Sequence, residues 1–140
     1  MAKRVALKDS VMVDAVDLSN LSRAVRLNSE HERVDVSGFS ATGANEYLAG
    51  PTEQSVTVEF YGAYGAGETH STLYPLHKNR TTCVLKWRPD QTTVVGPTNP
   101  ELRGNAQVFS YGPGSARGET DTFEVTFNSV DAAGFQFFTT

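Results

Sequence analysis

The sequence predicts a mainly β protein, with two packed antiparallel sheets in a sandwich-like or barrel-like arrangement and one short α-helix on their flank. Three observations carry this prediction. Apolar and polar residues alternate in several short runs, turn residues separate the runs at regular intervals, and only one segment keeps a helical spacing. At 140 residues the chain has the size of one domain. A chain of that length buries roughly 68–70% of its unfolded surface, enough for a core without disulfides or metal. No internal repeat, low-complexity tract or linker interrupts the pattern, so residues 1–140 read as a single domain.

The elements follow in order. Residues 1–9 read as an N-terminal arm. Val11, Val13 and Val16 predict a short opening hairpin turning at Asp14-Ala15. Val25 with Leu27, and Val34 with Val36, predict two further strands. Strict alternation marks Val56-Thr57-Val58-Glu59-Phe60, Cys83-Val84-Leu85-Lys86-Trp87 and Phe123-Glu124-Val125-Thr126-Phe127 as half-buried strands. Ala106 to Tyr111 is another strand, with Gly112-Pro113-Gly114 as its expected stop. Over residues 68–77 the β-branched content falls, Leu73 and Leu76 lie three apart, and His70 and Tyr74 lie four apart. That spacing predicts a helix of about two turns, frayed at its end by Pro75. Two connections, residues 37–51 and 89–104, are too long for hairpin turns and are expected to act as contact loops.

Composition and motifs exclude most chemistry. Twelve Lys and Arg against sixteen Asp and Glu give a net charge of −4, which is not the footprint of a protein that grips phosphates. The single cysteine, Cys83, can build neither an internal disulfide nor a cysteine-based zinc site, and it falls on the apolar side of its own strand. Lys8 and Asp9 break the apolar run a signal peptide needs, and no stretch reaches the ~20 apolar residues of a membrane span, so no membrane anchor is expected. The glycine-rich stretch Gly62 to Thr69 lies between a strand and a helix, as a phosphate cradle would. It carries Glu68 where the lysine should stand and His70 where the third glycine should. His70 and His77 would lie about 10 Å apart along a helix, too far to share an ion. Glu59 and Glu124 are the one carboxylate pair that could invite a glycosidase reading, but the aromatics alternate inward and leave no sugar-stacking cleft. No enzyme, cofactor or metal is expected.

Self-association is the property the residues do suggest. In Phe135-Gln136-Phe137-Phe138, alternation puts Phe135 and Phe137 on one strand face and Phe138 on the other. Such a strand is apolar on both sides and needs a cover, either from its own helix or from a neighbouring subunit.

An ordered series of features then resembles a known family. Val16-Asp17-Leu18-Ser19 leads to a strand with Arg23, Val25 and Leu27, followed by an acidic turn from Glu30 to Asp35. A glycine-rich loop ends in Leu48-Ala49-Gly50 before the strand Ser55 to Phe60. Leu73-Tyr74-Pro75-Leu76, Arg88-Pro89, Thr98-Asn99-Pro100 with Gly104, and Val125-Thr126-Phe127 follow. Spread over nearly the whole chain, this order resembles the tail tube proteins, or major tail proteins, of long-tailed bacteriophages (siphoviruses). It departs from their pattern at Ala15, where a turn glycine is usual, and at Pro51-Thr52.

The resemblance implies the phage tail-tube fold and a virion protein assembled in the bacterial cytoplasm. Its hexameric rings would stack into a tube around the tape measure protein, with tail terminator and distal tail proteins at the ends and DNA passing through the lumen without specific binding. Under that reading Asp35, Glu59 and Glu124 are expected to face the lumen. Gly38, Phe39, Gly43, Tyr47, Leu48, Phe135, Phe137 and Phe138 are expected to make subunit or ring contacts. The alternatives are a tail terminator or head–tail completion protein that forms one ring, and a ligand-binding β-sandwich module.

Overall fold

The computed structural model describes residues 4–39 and 42–140. Residues 1–3 of the expected N-terminal arm and 40–41 of the expected loop 37–51 lie outside the described residues. The elements run β1 (Ser10–Val13), β2 (Val16–Asp17), a 3-10 turn (Ser19–Leu21), β3 (Ser22–Asp35), β4 (Tyr47–Tyr61), α1 (Thr69–Asn79), β5 (Cys83–Arg88), β6 (Glu101–Gly114), β7 (Thr122–Ser129) and β8 (Gln136–Phe138). The strands are antiparallel.

Where two packed sheets are expected, all eight strands join one hydrogen-bonded sheet in the order β2-β1-β5-β6-β7-β4-β3, with β8 also on β6. The length of β6 is the reason. Its first half pairs with β5 and β8, and its second half, from Ala106 onward, pairs with β7. Gly112-Pro113-Gly114, expected to stop this strand, instead pairs with Glu124, Phe123 and Thr122. Two wings thus share one strand. A single buried cluster connects them, from Val11, Val13 and Leu85 on one wing to Val56, Val58, Phe60, Phe123, Val125 and Phe127 on the other.

The register shows why these strands hold. Val56 faces Phe127, Val58 faces Val125 and Phe60 faces Phe123, and all six side chains are fully buried. Each such burial is worth about 1.5–3 kcal/mol gross. The opening hairpin turns at Asp14-Ala15 as expected, with φ of 49° and 67°. A two-residue turn matching the strand twist needs positive φ at both positions. Ala15 accepts this strain because Asp14 is fastened to β5: its N–H donates to the Val84 carbonyl at 3.0 Å and its carboxylate accepts from the Val84 N–H at 2.8 Å.

The helix runs longer than predicted, eleven residues through Pro75. Ser71 and Pro75 lie on its exposed side, so the carbonyl that Pro75 leaves unpaired is open to solvent. Beyond the proline, Arg80 turns left-handed at φ 55°, and the Thr81 N–H closes back on the Leu76 carbonyl at 3.1 Å. At the other end, the Thr69 hydroxyl donates to the Tyr61 carbonyl at 2.9 Å, tying the helix start to the end of β4.

Two loop expectations change. The acidic turn from Glu30 to Asp35 is strand, continuous with Val25 and Leu27. The loop 37–51 is shorter than expected, because β4 already begins at Tyr47. Backbone pairing of Arg33 to Asp35 with Ala49 to Tyr47 zips the hairpin further out than composition indicates. The glycine at its end is instead part of a bulge. His31 pairs with Thr52 and Arg33 with Ala49, so Gly50 and Pro51 together oppose Glu32. A side chain at Gly50 would place its Cβ 2.8 Å from Val34 Cγ2 and 3.0 Å from the Glu32 carbonyl, and only glycine fits. The connection 89–104 likewise ends at Pro100, where Glu101 opens β6.

Candidate assembly surfaces

The most conspicuous surface is the β3–β4 hairpin. Pairing of β4 with β7 begins at Ser55, so residues 47–54 of β4 have β3 as their only strand partner among the described residues. At about 3.3 Å per residue this two-stranded arm projects roughly 25 Å beyond the sheet. Its apolar side chains have no cover among the described residues. Val34, Val36, Tyr47 and Leu48 are substantially exposed, Leu48 by 61%, and Phe39 beyond them is fully exposed. Gly38 and Gly43 sit in the exposed turn region, Gly43 at φ 67°. An isolated two-stranded ribbon is at best marginal in water, so this arm is built to rest on something.

The bulge at Gly50-Pro51 also redirects side chains. Alternation along β3 puts Asp35 with Arg33 on the face of Val25 and Leu27, while Val34 pairs with Leu48 on the opposite, outer face. Arg33 supports this placement by stacking its guanidinium 4.3 Å over the Tyr47 ring, since Tyr47 is the partner of Asp35. Asp35 therefore does not share a face with Glu59 and Glu124. Its carboxylate instead accepts from the Ser37 N–H at 2.8 Å, and hydrogen bonds from the Ser37 hydroxyl and backbone hold its pKa below the ordinary value.

Glu59 and Glu124 do come together. They are directly opposed across β4 and β7, on the outer face with Thr57, Thr126, Asn128 and Ser110. A second such pair, Glu30 opposite Glu53, lies further out on the same face. Like charges directly opposite one another destabilise a sheet. One counter-charge is close: Arg23, bulged out of β3, reaches Glu59 at 3.2 Å. An exposed pair of this kind contributes little, and Glu124 has no ion pair among the described residues.

The C-terminal segment forms the third surface. Phe135 is buried over Gly104, where an added Cβ would come within 2.5 Å of its ring. Phe137 pairs with Leu102 and meets Trp87 edge-on at 6.5 Å, yet stays 52% exposed. Phe138 points to the other face and carries the Arg103 guanidinium 4.7 Å above its ring. Beside it Glu101, nearly buried, holds both Arg103 at 2.5 Å and Arg88 at 3.6 Å.

The residues with reactive side chains make structural contacts. His70 Nδ1 lies 2.8 Å from the Tyr111 hydroxyl and its ring stacks on Tyr74. His77 Nδ1 donates to the Val108 carbonyl at 3.1 Å. Among the described residues no three His, Cys, Asp or Glu side chains gather closely enough for a metal. Cys83 is buried, and desolvation, helped by the Asp14 charge, pushes its thiol up to about 12. The Glu68 carboxylate lies against Gly65, filling the loop where a phosphate would have to enter. Sequence reasoning missed Phe109, 59% exposed beside a bulge between Val108 and Ser110, and it missed Gln54. Neither stands out in an alternating pattern, because a bulge and a side-chain-to-backbone clamp are set by register.

The fold is thus a continuous antiparallel sheet with one flanking helix and a long projecting hairpin. Solved structures of assembled tails share this fold. The chain superimposes on a protein of the native gene transfer agent particle with a TM-score of 0.73 at 18% identity, covering 97% of this chain and 99% of that one. It matches the SPP1 tail tube with a TM-score of 0.68 at 13% identity, over 95% of this chain and 76% of that one. A chain of the sheath-tube complex of an extracellular contractile injection system gives 0.68 at 11% identity, over 95% and 89%. No family model and no curated protein matches the sequence. The fold is therefore the tail-tube fold predicted from the sequence.

Proposed function

We propose that this chain is the structural subunit of a phage tail tube, polymerising as hexameric rings stacked around a lumen. The observation that carries the proposal is the projecting arm, a long ribbon with exposed Val34, Val36, Phe39, Tyr47 and Leu48 on a tail-tube fold. The strand β3 lies at one end of the sheet and offers a fourteen-residue edge that a neighbouring copy would close. Head-to-tail repetition of such contacts yields an open filament.

In this reading the outer face of β4 and β7 lines the lumen, with Glu59 and Glu124 repelling the phosphates of passing DNA. The opposed pair Glu30 and Glu53 extends the same acidic surface. Two costly like-charge pairs on one face are explained by repulsion of a polyanion and not by folding. Asp35, on the opposite face of the arm, joins the contact set with Gly38, Phe39, Gly43, Tyr47 and Leu48, while Phe137 and Phe138 contact the adjacent subunit. The tape measure protein occupies the lumen during assembly in the host cytoplasm, and terminator and distal tail proteins cap the tube in the virion.

Sedimentation velocity combined with negative-stain imaging of the purified protein tests this. Tubes of stacked rings are expected. Isolated rings that never stack would point to a terminator or completion protein, and a strict monomer at high concentration would refute assembly altogether.

A further inference from the structure

The arm needs a receiving surface, and one groove has matching chemistry. It lies between the C-terminal end of α1 and the β6 bulge, has a volume of about 590 Å³, and is lined by Tyr74, His77, Lys78, Arg80, Gln107 and Phe109 among others. Two features set it apart. Lys78 and Arg80 line it with no carboxylate partner among the described residues, whereas Arg88 and Arg103 are both already paired with Glu101. In addition, Phe109, beside the β6 bulge, gives the groove an exposed aromatic floor next to the half-exposed Tyr74.

The arm tip presents the complement. Beyond its own bulge it carries Val34, Val36, Phe39 and Leu48 exposed, flanked by the carboxylates of Asp35 and Glu46. Its one base, Arg33, is stacked on Tyr47. Residues 28–54 hold five of the sixteen acidic side chains (Glu30, Glu32, Asp35, Glu46, Glu53) and one of the twelve basic ones (Arg33). The arm's net charge of −4 therefore equals that of the whole chain, and the rest of the molecule is neutral.

We infer that the arm tip of one copy docks into the groove between the helix C-terminus and the β6 bulge of a second copy. This placement rests on the tube-subunit reading. Asp35 and Glu46 approach Lys78 and Arg80, and the aliphatic side chains of the tip lie on Phe109 and Tyr74, which removes from water two apolar surfaces that are otherwise open.

The test reverses charges and then restores them. Lys78→Glu with Arg80→Glu turns two attractions into repulsions and is expected to raise the protein concentration needed for tubes about tenfold. Adding Asp35→Lys with Glu46→Lys to the same chain is expected to bring assembly back. A second measurement mixes an Ala44→Cys chain with a Gln107→Cys chain carrying a size tag, and treats assembled material with a short flexible bis-maleimide. Cys83 is buried and silent. A heterodimer between the two chains supports the docking. Tubes that form normally from the Lys78→Glu, Arg80→Glu chain overturn the inference and leave the tube reading standing. So does a loss of assembly that the compensating pair does not restore, together with no heterodimer. A wild-type protein that stays monomeric overturns both.

Discussion

Gln54 couples the base of the arm to the C-terminal segment, and its removal gives a quantitative test of the fold. Its amide oxygen accepts from the Phe135 N–H at 2.7 Å. Its amide nitrogen donates to the Phe135 carbonyl at 3.3 Å and to the Ser29 hydroxyl at 3.3 Å. One side chain thus satisfies both main-chain groups of a residue that is 4% exposed. Gly134 turns at φ 64° just before it, and a Cβ there would lie within 2.2 Å of the Gln54 oxygen, so the clamp and the glycine require each other.

Gln54→Ala leaves two partly buried backbone groups without partners. Complete burial would cost about 1–3 kcal/mol for each. The site opens on the polar concavity lined by Ser29, His31, Thr52 and Asp131, so the low end applies, about 2 kcal/mol in all. With a urea dependence of ~1–3 kcal/mol per molar, the unfolding midpoint falls by about 1 M. Trp87 is the reporter, since it packs against Phe137, and the measurement is made below the concentration at which the protein assembles. Gln54→Glu keeps the acceptor and loses the donor at neutral pH, so about half the loss is expected. An alanine variant with an unchanged midpoint and unchanged Trp87 emission would show that the clamp contributes nothing and would refute the reasoning.

Deleting Phe135 to Thr140 removes the side chain that covers Gly104 together with β8, and is expected to abolish polymerisation in light scattering; normal tubes from the truncated chain would sink the assignment of that strand to assembly. Replacing Glu59 and Glu124 together by lysine reverses the charge of the face proposed to line the lumen without touching the core, so tubes of normal appearance that retain duplex DNA in a co-sedimentation assay are expected. Cys83 should resist thiol reagents at pH 8 until the protein unfolds. Its folded thiol holds a proton between the ordinary value of 9.0 and about 12, so its contribution to stability is complete below pH 9 and is lost as pH rises through that window. Asp90 behaves in the opposite sense. Hydrogen bonds from the Thr92 hydroxyl, the Thr92 backbone and the Thr93 hydroxyl lower its pKa from 3.8 to about 2, so its contribution is present above about pH 4 and disappears as pH falls toward 2. Protection of the residue 90–93 amides, taken as the ratio of intrinsic to observed hydrogen exchange at each pH, should fall across that range.

Much of this protein was legible in one dimension. Strands buried on one face announce themselves by period-two alternation, which is why Val56 to Phe60, Cys83 to Trp87 and Phe123 to Phe127 are strands in the fold as in the sequence. The single helix, the turn at Asp14-Ala15 and the division of Phe135 and Phe137 from Phe138 follow from equally local rules. Burial on one side of a regular element leaves a periodic trace that needs no knowledge of the partner.

What only the tertiary structure decided are the places where register departs from regularity. The bulge at Gly50-Pro51 reads as loop composition, yet it lets β4 continue to Tyr47 and turns Tyr47 and Leu48 to the faces of Asp35 and Val34. The bulge between Val108 and Ser110 turns Ser110 outward opposite Thr126 and Tyr111 inward opposite Val125, against plain alternation from Val108. Pairing partners also escape the sequence: nothing local places Glu59 against Glu124, Glu30 against Glu53, or Gln54 against Phe135. The physical reason is that the folded sheet joins residues 23 or 65 positions apart, as in Glu30 with Glu53 and Glu59 with Glu124, through backbone groups that are chemically identical at every position. The choice among registers therefore rests on the packing of the whole sheet and not on any one segment.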